Sequence, residues 1–203
     1  MEWTVVESLP VHEDIKKQTG RYALYIRNSQ ESLRSLAGAG IEVITYNFMP
    51  VLDWLRTDIH YKLPDGSYAL YFQRMAFIAF DIFLLKRPGA EKDYTREDIA
   101  EAERYLKKIS PAERENLYNA ALLGLPGSRE AFTAGQVLNA LKTYENINPE
   151  KLRAHLLYFL QQVVPVAEQE GLKLAIHPDD PPFPVLGLPR IVSTENDLKE
   201  ILT

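Results

Sequence analysis

One histidine and a handful of carboxylate, amide and guanidinium side chains carry the chemistry that this sequence can do. His177 closes the apolar run Leu172-Lys173-Leu174-Ala175-Ile176 and is followed at once by Pro178-Asp179-Asp180-Pro181-Pro182. A histidine emerging from the end of a buried strand beside a stiff acidic loop suits a metal ligand or an acid–base group, because imidazole binds metals as a neutral base and titrates near neutrality. The same placement also suits a histidine that merely bonds a neighbouring loop. Asp179 and Asp180 can orient the imidazole, support a metal or take substrate hydroxyls; they can equally cap loop amides between the prolines. Glu7 falls on the strand that bears Val5, where an inward carboxylate is costly unless it meets a cation or a substrate. Asn47 ends the next strand and can donate to and accept from a polyol. Arg190 and Arg56 match the geometry of an anionic substrate, or of an ordinary surface carboxylate. His12, with Glu13 and Asp14, reads as a helix start, while His155 on a helix and His60 in a hairpin read as structural. There is no glycine-rich phosphate cradle and no serine or cysteine nucleophile motif.

The elements that must position these groups alternate. Residues 3–8 and 41–48 read as strands ending in proline-bearing turns, and residues 172–177 as a third. Between the first two, Tyr22, Ile26, Ser29, Leu33 and Leu36 recur at helical spacing, closed by Gly38 and Gly40. Asn148-Pro149 opens the longest helix, with Leu152, Leu156, Phe159, Val163 and Val166 on one face, Gly171 at its end and Pro165 placed to kink it. Thr194 caps a last helix. The strand ends would share one rim, as in an α/β barrel.

Residues 51–148 interrupt the alternation. Pro64-Asp65-Gly66 between aromatic runs reads as a hairpin. Helices follow, with a weak cap-like pair in Thr95 and Asp98, a full capping box in Ser110-Pro111-Ala112-Glu113 with Gly124 after its last turn, and a further start at Thr133 with Gln136. The expected organisation is one domain over residues 1–203 with a mostly helical insertion at about 51–148, a solvated excursion or a substrate lid.

Composition narrows the function. The 203 residues are 46% hydrophobic and 25% charged, enough to bury a core, and the net charge of −5 argues against nucleic acid as partner. With no cysteine, disulfides and thiolate chemistry are excluded, so any metal must rely on histidine, carboxylate and substrate oxygens. No stretch is long and apolar enough for a membrane span and none resembles a leader, so the expected location is the cytoplasm.

Several phrases carry a specific likeness. Val6-Glu7-Ser8-Leu9-Pro10-Val11-His12-Glu13-Asp14-Ile15-Lys16, Tyr46-Asn47-Phe48-Met49-Pro50-Val51-Leu52-Asp53-Trp54, Leu85-Lys86-Arg87-Pro88-Gly89-Ala90, and His177 to Pro182 continued through Gly187-Leu188-Pro189-Arg190-Ile191-Val192-Ser193 together resemble mannonate dehydratase of the UxuA type. That resemblance implies a xylose-isomerase-like (β/α)8 TIM barrel, here partial. It also implies a lyase using Fe²⁺ or Mn²⁺ to convert D-mannonate to 2-dehydro-3-deoxy-D-gluconate in glucuronate breakdown, as a homo-oligomer. It makes His177 a metal ligand; Glu7, Asn47, Arg56, Asp179, Asp180 and Arg190 are candidate substrate contacts on their own chemistry. The chain matches an internal segment: the family has a first strand and helix ahead of Met1, and its cysteine, second histidine and aspartate ligands, with its histidine and tyrosine acid–base pair, beyond Thr203. Alternatives are a non-catalytic remnant or split-gene fragment needing a partner chain, and a sugar isomerase of the same barrel type.

Overall fold

In the computed structural model, which describes residues 3–123 and 132–202, a sheet of three parallel strands organises the first of two units. Its strands are β1 (Val5–Val6), β2 (Val43–Tyr46) and β5 (Lys173–Ile176), with β2 in the centre. The register pairs Val5 with Val43 and Val6 with Ile44 on one side, and Val43 with Lys173 through Tyr46 with Ile176 on the other. Each strand is shorter than expected. The ladder thins to single bonds at its margins, Glu42 N–H to the Thr4 carbonyl (2.8 Å) and Leu9 N–H to the Thr45 carbonyl (2.9 Å), before proline-bearing turns end it.

Three helices cover one face of this sheet. α1 (Glu13–Lys17) is capped by His12, whose Nδ1 accepts from Asp14 N–H and whose ring stacks on Tyr25 at 3.6 Å. α2 (Tyr22–Gly38) buries Ile26, Ser29 and Leu33. Asn148 caps the long helix α7 (Pro149–Gln169), whose Leu152, His155, Leu156, Phe159 and Val163 form the buried stripe. α7 continues through Pro165, and Gly171 takes the φ of +71° that turns the chain into β5, a conformation a side chain would strain. Ile44, Tyr46 and Leu174 meet Leu33, Phe159 and Val163 around one small cavity, so even-numbered positions of β2 and β5 face the helices. Burial of Tyr46 among them pushes its phenol well above its ordinary value.

The opposite face is barely covered. Val43, Thr45 and Ala175 are only half-buried and Lys173 is exposed, and Val5 is 48% exposed where Ile44 on the helix side is at 0%. A sheet with one dry face, one open apolar face and two free edges is a segment of a (β/α) barrel, in which the open face would be interior.

The second unit takes Leu52–Thr143 and Pro184–Leu188. In chain order its main segment lies between β2 and β5. It holds the expected hairpin, β3 (Asp58–Lys62) with β4 (Tyr68–Tyr71), where Asp65 closes the turn by accepting from Ser67 N–H and Oγ–H. α3 (Arg74–Ala79) runs into a π-helical turn at Phe80–Leu84 and a short 3₁₀ turn at Ala90–Asp93. α4 (Arg96–Lys108), α5 (Pro111–Leu122) and α6 (Ala134–Lys142) follow. All three carry reciprocal capping boxes; at Thr95 the pairing with Asp98 is complete and not the weak pair expected, because the shorter aspartate still reaches the cap amide at 3.3 Å. Gly124, expected to end α5, lies outside the described residues. The Leu85–Ala90 phrase supplies Arg87, which forks onto the fully buried Asp81 (2.9 and 2.7 Å) and also reaches Asp93, while Tyr94 Oη–H donates to Asp81. The last helix of the first unit, α8 (Glu195–Leu202), starts at Thr194, whose Oγ1 accepts from Asp197 N–H at 3.2 Å.

Open strand edges and an uncovered apolar face template association. A polypeptide of residues 1–203 is therefore expected to sediment as oligomers or aggregates. A monodisperse monomer with a cooperative melt would show that the open face needs no cover.

Candidate functional site

The rim of the site forms where β2 and β5 end side by side. His177 N–H donates to the Tyr46 carbonyl at 2.7 Å, extending the ladder one residue past Ile176. The strand register ends at Tyr46 and Ile176, and alternation would carry the next positions, Asn47 and His177, to the side away from the helices, where Asn47 is buried and His177 half-buried. Glu7 follows the last paired residue of β1 and is exposed.

His177 is half-buried, and its Nδ1 lies 2.6 Å from the Pro178 carbonyl. A carbonyl can only accept, so in the neutral ring Nδ1 carries the proton and Nε2 the lone pair. That tautomer fits one ligand position of a metal such as Fe²⁺ or Mn²⁺, the orienting role being filled by a backbone carbonyl. A complete metal site is a different matter: among the described residues no group of three or more histidine, cysteine or acidic side chains is placed to hold an ion. The residues described do not supply a full donor set.

The two aspartates after His177 diverge. Asp179 is buried, its amide donates to the Val192 carbonyl (2.9 Å), and its Oδ2 accepts from Val192 N–H (2.6 Å) and Ser193 Oγ–H (2.9 Å). It therefore staples the two ends of the loop leading from His177 to Arg190, the loop-capping alternative for one of the pair. Asp180 is exposed at the rim. Arg190 is buried in the same unit, as is Asn47, whose Oδ1 accepts from Met49 N–H at 3.1 Å and shapes the turn after β2. Arg56 belongs to the second unit, where it is buried and donates to the Trp54 carbonyl at 2.9 Å. His12 serves as the cap already described. His155 is buried with Nδ1 2.7 Å from the Lys16 carbonyl, tying α7 to α1.

Sequence reasoning passed over the support behind this rim. Lys16 is buried; its Nζ donates to the Met49 carbonyl (2.7 Å) and pairs with Glu13 Oε1 (2.8 Å). The other oxygen of Glu13 accepts from Tyr144 Oη–H (2.7 Å) and Val51 N–H (3.3 Å). Burial alone would raise the Glu13 carboxyl, but the Lys16 ammonium and the three hydrogen bonds outweigh it and hold the group below its ordinary value. The signal available in sequence was the Glu13, Lys16 spacing of three on one helix, masked because those residues read as a helix start.

Comparisons with known proteins place this geometry. The family model described as D-mannonate dehydratase (UxuA) matches residues 1–203. A curated protein of Marinomonas sp. strain MWYL1 named mannonate dehydratase is 52% identical over 202 residues, covering 100% of this chain and 52% of that protein. One of the same name from Chromohalobacter salexigens is 50% identical with the same coverage. The crystal structure of mannonate dehydratase from Streptococcus suis serotype2 superposes with a TM-score of 0.66 at 34% identity, covering 100% of this chain and 44% of that one. The chain thus spans about half the length of the curated relatives it matches.

The Glu13 pair makes a pH test. Its folded pKa lies below the ordinary 4.5, so it contributes stability above that value that is lost as pH falls through the lower folded value. The melting temperature of the unsubstituted chain should exceed that of Glu13→Gln near neutrality, with the gap closing as pH drops below 4.5. A gap that stays constant through the acid range would remove the ion pair from the account.

Proposed function

Because the chain belongs to the D-mannonate dehydratase (UxuA) family, we propose that it supplies one metal ligand, His177, and part of the sugar-acid pocket for dehydration of D-mannonate to 2-dehydro-3-deoxy-D-gluconate. The observation that carries this reading is His177 emerging at the end of the parallel ladder, its amide bonded to the Tyr46 carbonyl next to Asn47, with the ring proton held at Nδ1 by the Pro178 carbonyl so that the lone pair lies on Nε2.

The reaction removes a weakly acidic proton next to a carboxylate and expels hydroxide from the neighbouring carbon, taking up a proton to leave as water. The resulting enol tautomerises to the 2-keto acid. Such chemistry needs charge stabilisation at the carboxylate and a positioned acid–base pair. A bound Fe²⁺ or Mn²⁺ would act as a Lewis acid toward substrate oxygens. Among this chain's own groups, Arg190 suits the substrate carboxylate, Asn47 and Asp180 suit its hydroxyls, and Glu7 is a further contact at the rim. Asp179 acts through the loop it staples. Arg56 belongs to the second unit, and the stretch of about 51–148 reads as an insertion of the barrel. The pathway that fits is hexuronate breakdown in the cytoplasm, with a homo-oligomeric whole enzyme. No helix among the described residues is long and apolar enough to cross a membrane.

A second reading is a segment that binds the sugar acid without turning it over; it rests on the fact that among the described residues no group of three or more histidine, cysteine or acidic side chains is placed to hold an ion. The test that separates them is a chimera in which residues 1–203 replace the matching half of a curated relative. With Mn²⁺ or Fe²⁺ the chimera should form 2-keto-3-deoxygluconate from D-mannonate, while residues 1–203 alone should form none. His177→Ala in the chimera should lose more than the about 10–100-fold that outer partners of a metal typically cost, together with metal content. Unchanged metal content and turnover in that variant would take His177 out of the site, and an isomerised sugar acid as product would replace dehydration.

A further inference from the structure

Met49 stands where the two strand-end loops of the rim meet. It is at 0% exposure, and each of its polar atoms is engaged with a different element of the first unit. Its amide donates to Asn47 Oδ1 (3.1 Å), its carbonyl accepts from Lys16 Nζ (2.7 Å), and its sulfur accepts from Asp180 N–H (3.4 Å). The first of these bonds shapes the turn that carries Asn47. The third reaches the loop that carries His177 and Asp179. The second ties both to α1, where Lys16 is itself anchored by Glu13 and, through its own carbonyl, by His155 on α7.

We propose that Met49, held by Lys16, is a positioning residue that locks the Asn47 turn and the His177 loop into one arrangement, and that Lys16 acts on the substrate pocket only through it. This deepens the function proposed above and rests on that reading for its catalytic consequence. The physical case is one of rigidity. The N–H···S bond is weak, but a thioether with no exposed surface has no room to leave it. The Lys16 ammonium is a buried charge whose solvation now consists of Glu13 and the Met49 carbonyl, so displacing that carbonyl would strip the ammonium of a partner it cannot replace with water. The turn after β2 is thereby pinned by the cost of stranding a charge, and the sulfur transmits that fixed position to the loop after β5. Bond and burial together keep the Asn47 amide and the His177 ring in the mutual placement that the sheet register starts.

Two substitutions separate positioning from bulk stability. Met49→Leu keeps the apolar volume and removes the sulfur acceptor, and Lys16→Met keeps the alkyl stem and removes the ammonium. Hydrogen exchange by mass spectrometry on the 203-residue protein should show uptake in residues 177–183 accelerated about tenfold in each, the scale of one hydrogen bond. Uptake in α2 should be unchanged. In the chimera, Met49→Leu should lower kcat about tenfold with KM within about twofold, as expected for a lost supporting contact, and Lys16→Arg should recover most of what Lys16→Met loses. Acceleration spread equally over α2 and α7, or no change at 177–183, would overturn the proposal. An unsubstituted chimera that forms no product would instead overturn the dehydratase reading, leaving the exchange result to decide the positioning role alone.

Discussion

The hydrogen bond from the His177 amide to the Tyr46 carbonyl, 2.7 Å long, is the constraint on which the rest of the site depends. In a parallel ladder a slip of one residue turns every side chain to the other face. With Tyr46 paired to Ile176, the residues at even positions of β2 and β5, Ile44, Tyr46 and Leu174 among them, go to α2 and α7, and alternation carries Asn47 and His177 to the other side. A slip would drive the imidazole into the packing around Phe159 and place Ile176 in water. The apolar stripe of α7 and the polar rim are thus two consequences of one register.

Register alone leaves the loops beyond the strands undetermined, and the fold secures them with buried polar groups in place of more strand. Asp179 joins the loop's start to Val192 and Ser193, Asn47 folds its own turn, and the Glu13 and Lys16 pair fixes the Met49 carbonyl. Each of these side chains is engaged in holding backbone. Asp180 and Glu7 are exposed and His177 is half-buried. In the second unit the Asp81 and Arg87 fork plays the corresponding structural part, with Tyr94 as third member.

Much of this was legible in the sequence where local chemistry is decisive. The helical stripe from Leu152 to Val166, the capping residues Asn148, Ser110 and Thr133, the turn at Asp65 and Gly66, and the existence of the strands that lead to Asn47 and His177 all follow from periodicity, capping and turn preferences that act within a few residues. Strand lengths did not, because pairing ends where the partner's turn begins, as Pro10 and Pro50 show, and this is a property of two segments. The different fates of Asp179 and Asp180 were equally hidden, since adjacent identical residues are told apart only by what a loop brings back from position 192. Lys16 was the main omission: a lysine on a short, highly charged helix reads as solvated, and only the return of Met49 and Tyr144 from distant positions makes it a buried anchor. The family likeness added what no periodicity could, the expectation that His177 is a ligand and that further donors lie elsewhere.

The claim that Asn47 and His177 lie side by side on the open face can be measured directly in this cysteine-free chain. Asn47→His would put two imidazoles next to each other, and neighbouring imidazoles chelate Cu²⁺. Calorimetric titration should then show a Cu²⁺ site at least about tenfold tighter than in the unsubstituted chain, with electron paramagnetic resonance reporting two coordinated ring nitrogens. The gain should vanish in Asn47→His/His177→Ala. Equal affinity in all three proteins would mean that the two residues do not share a face, and the register on which the site is built would be wrong.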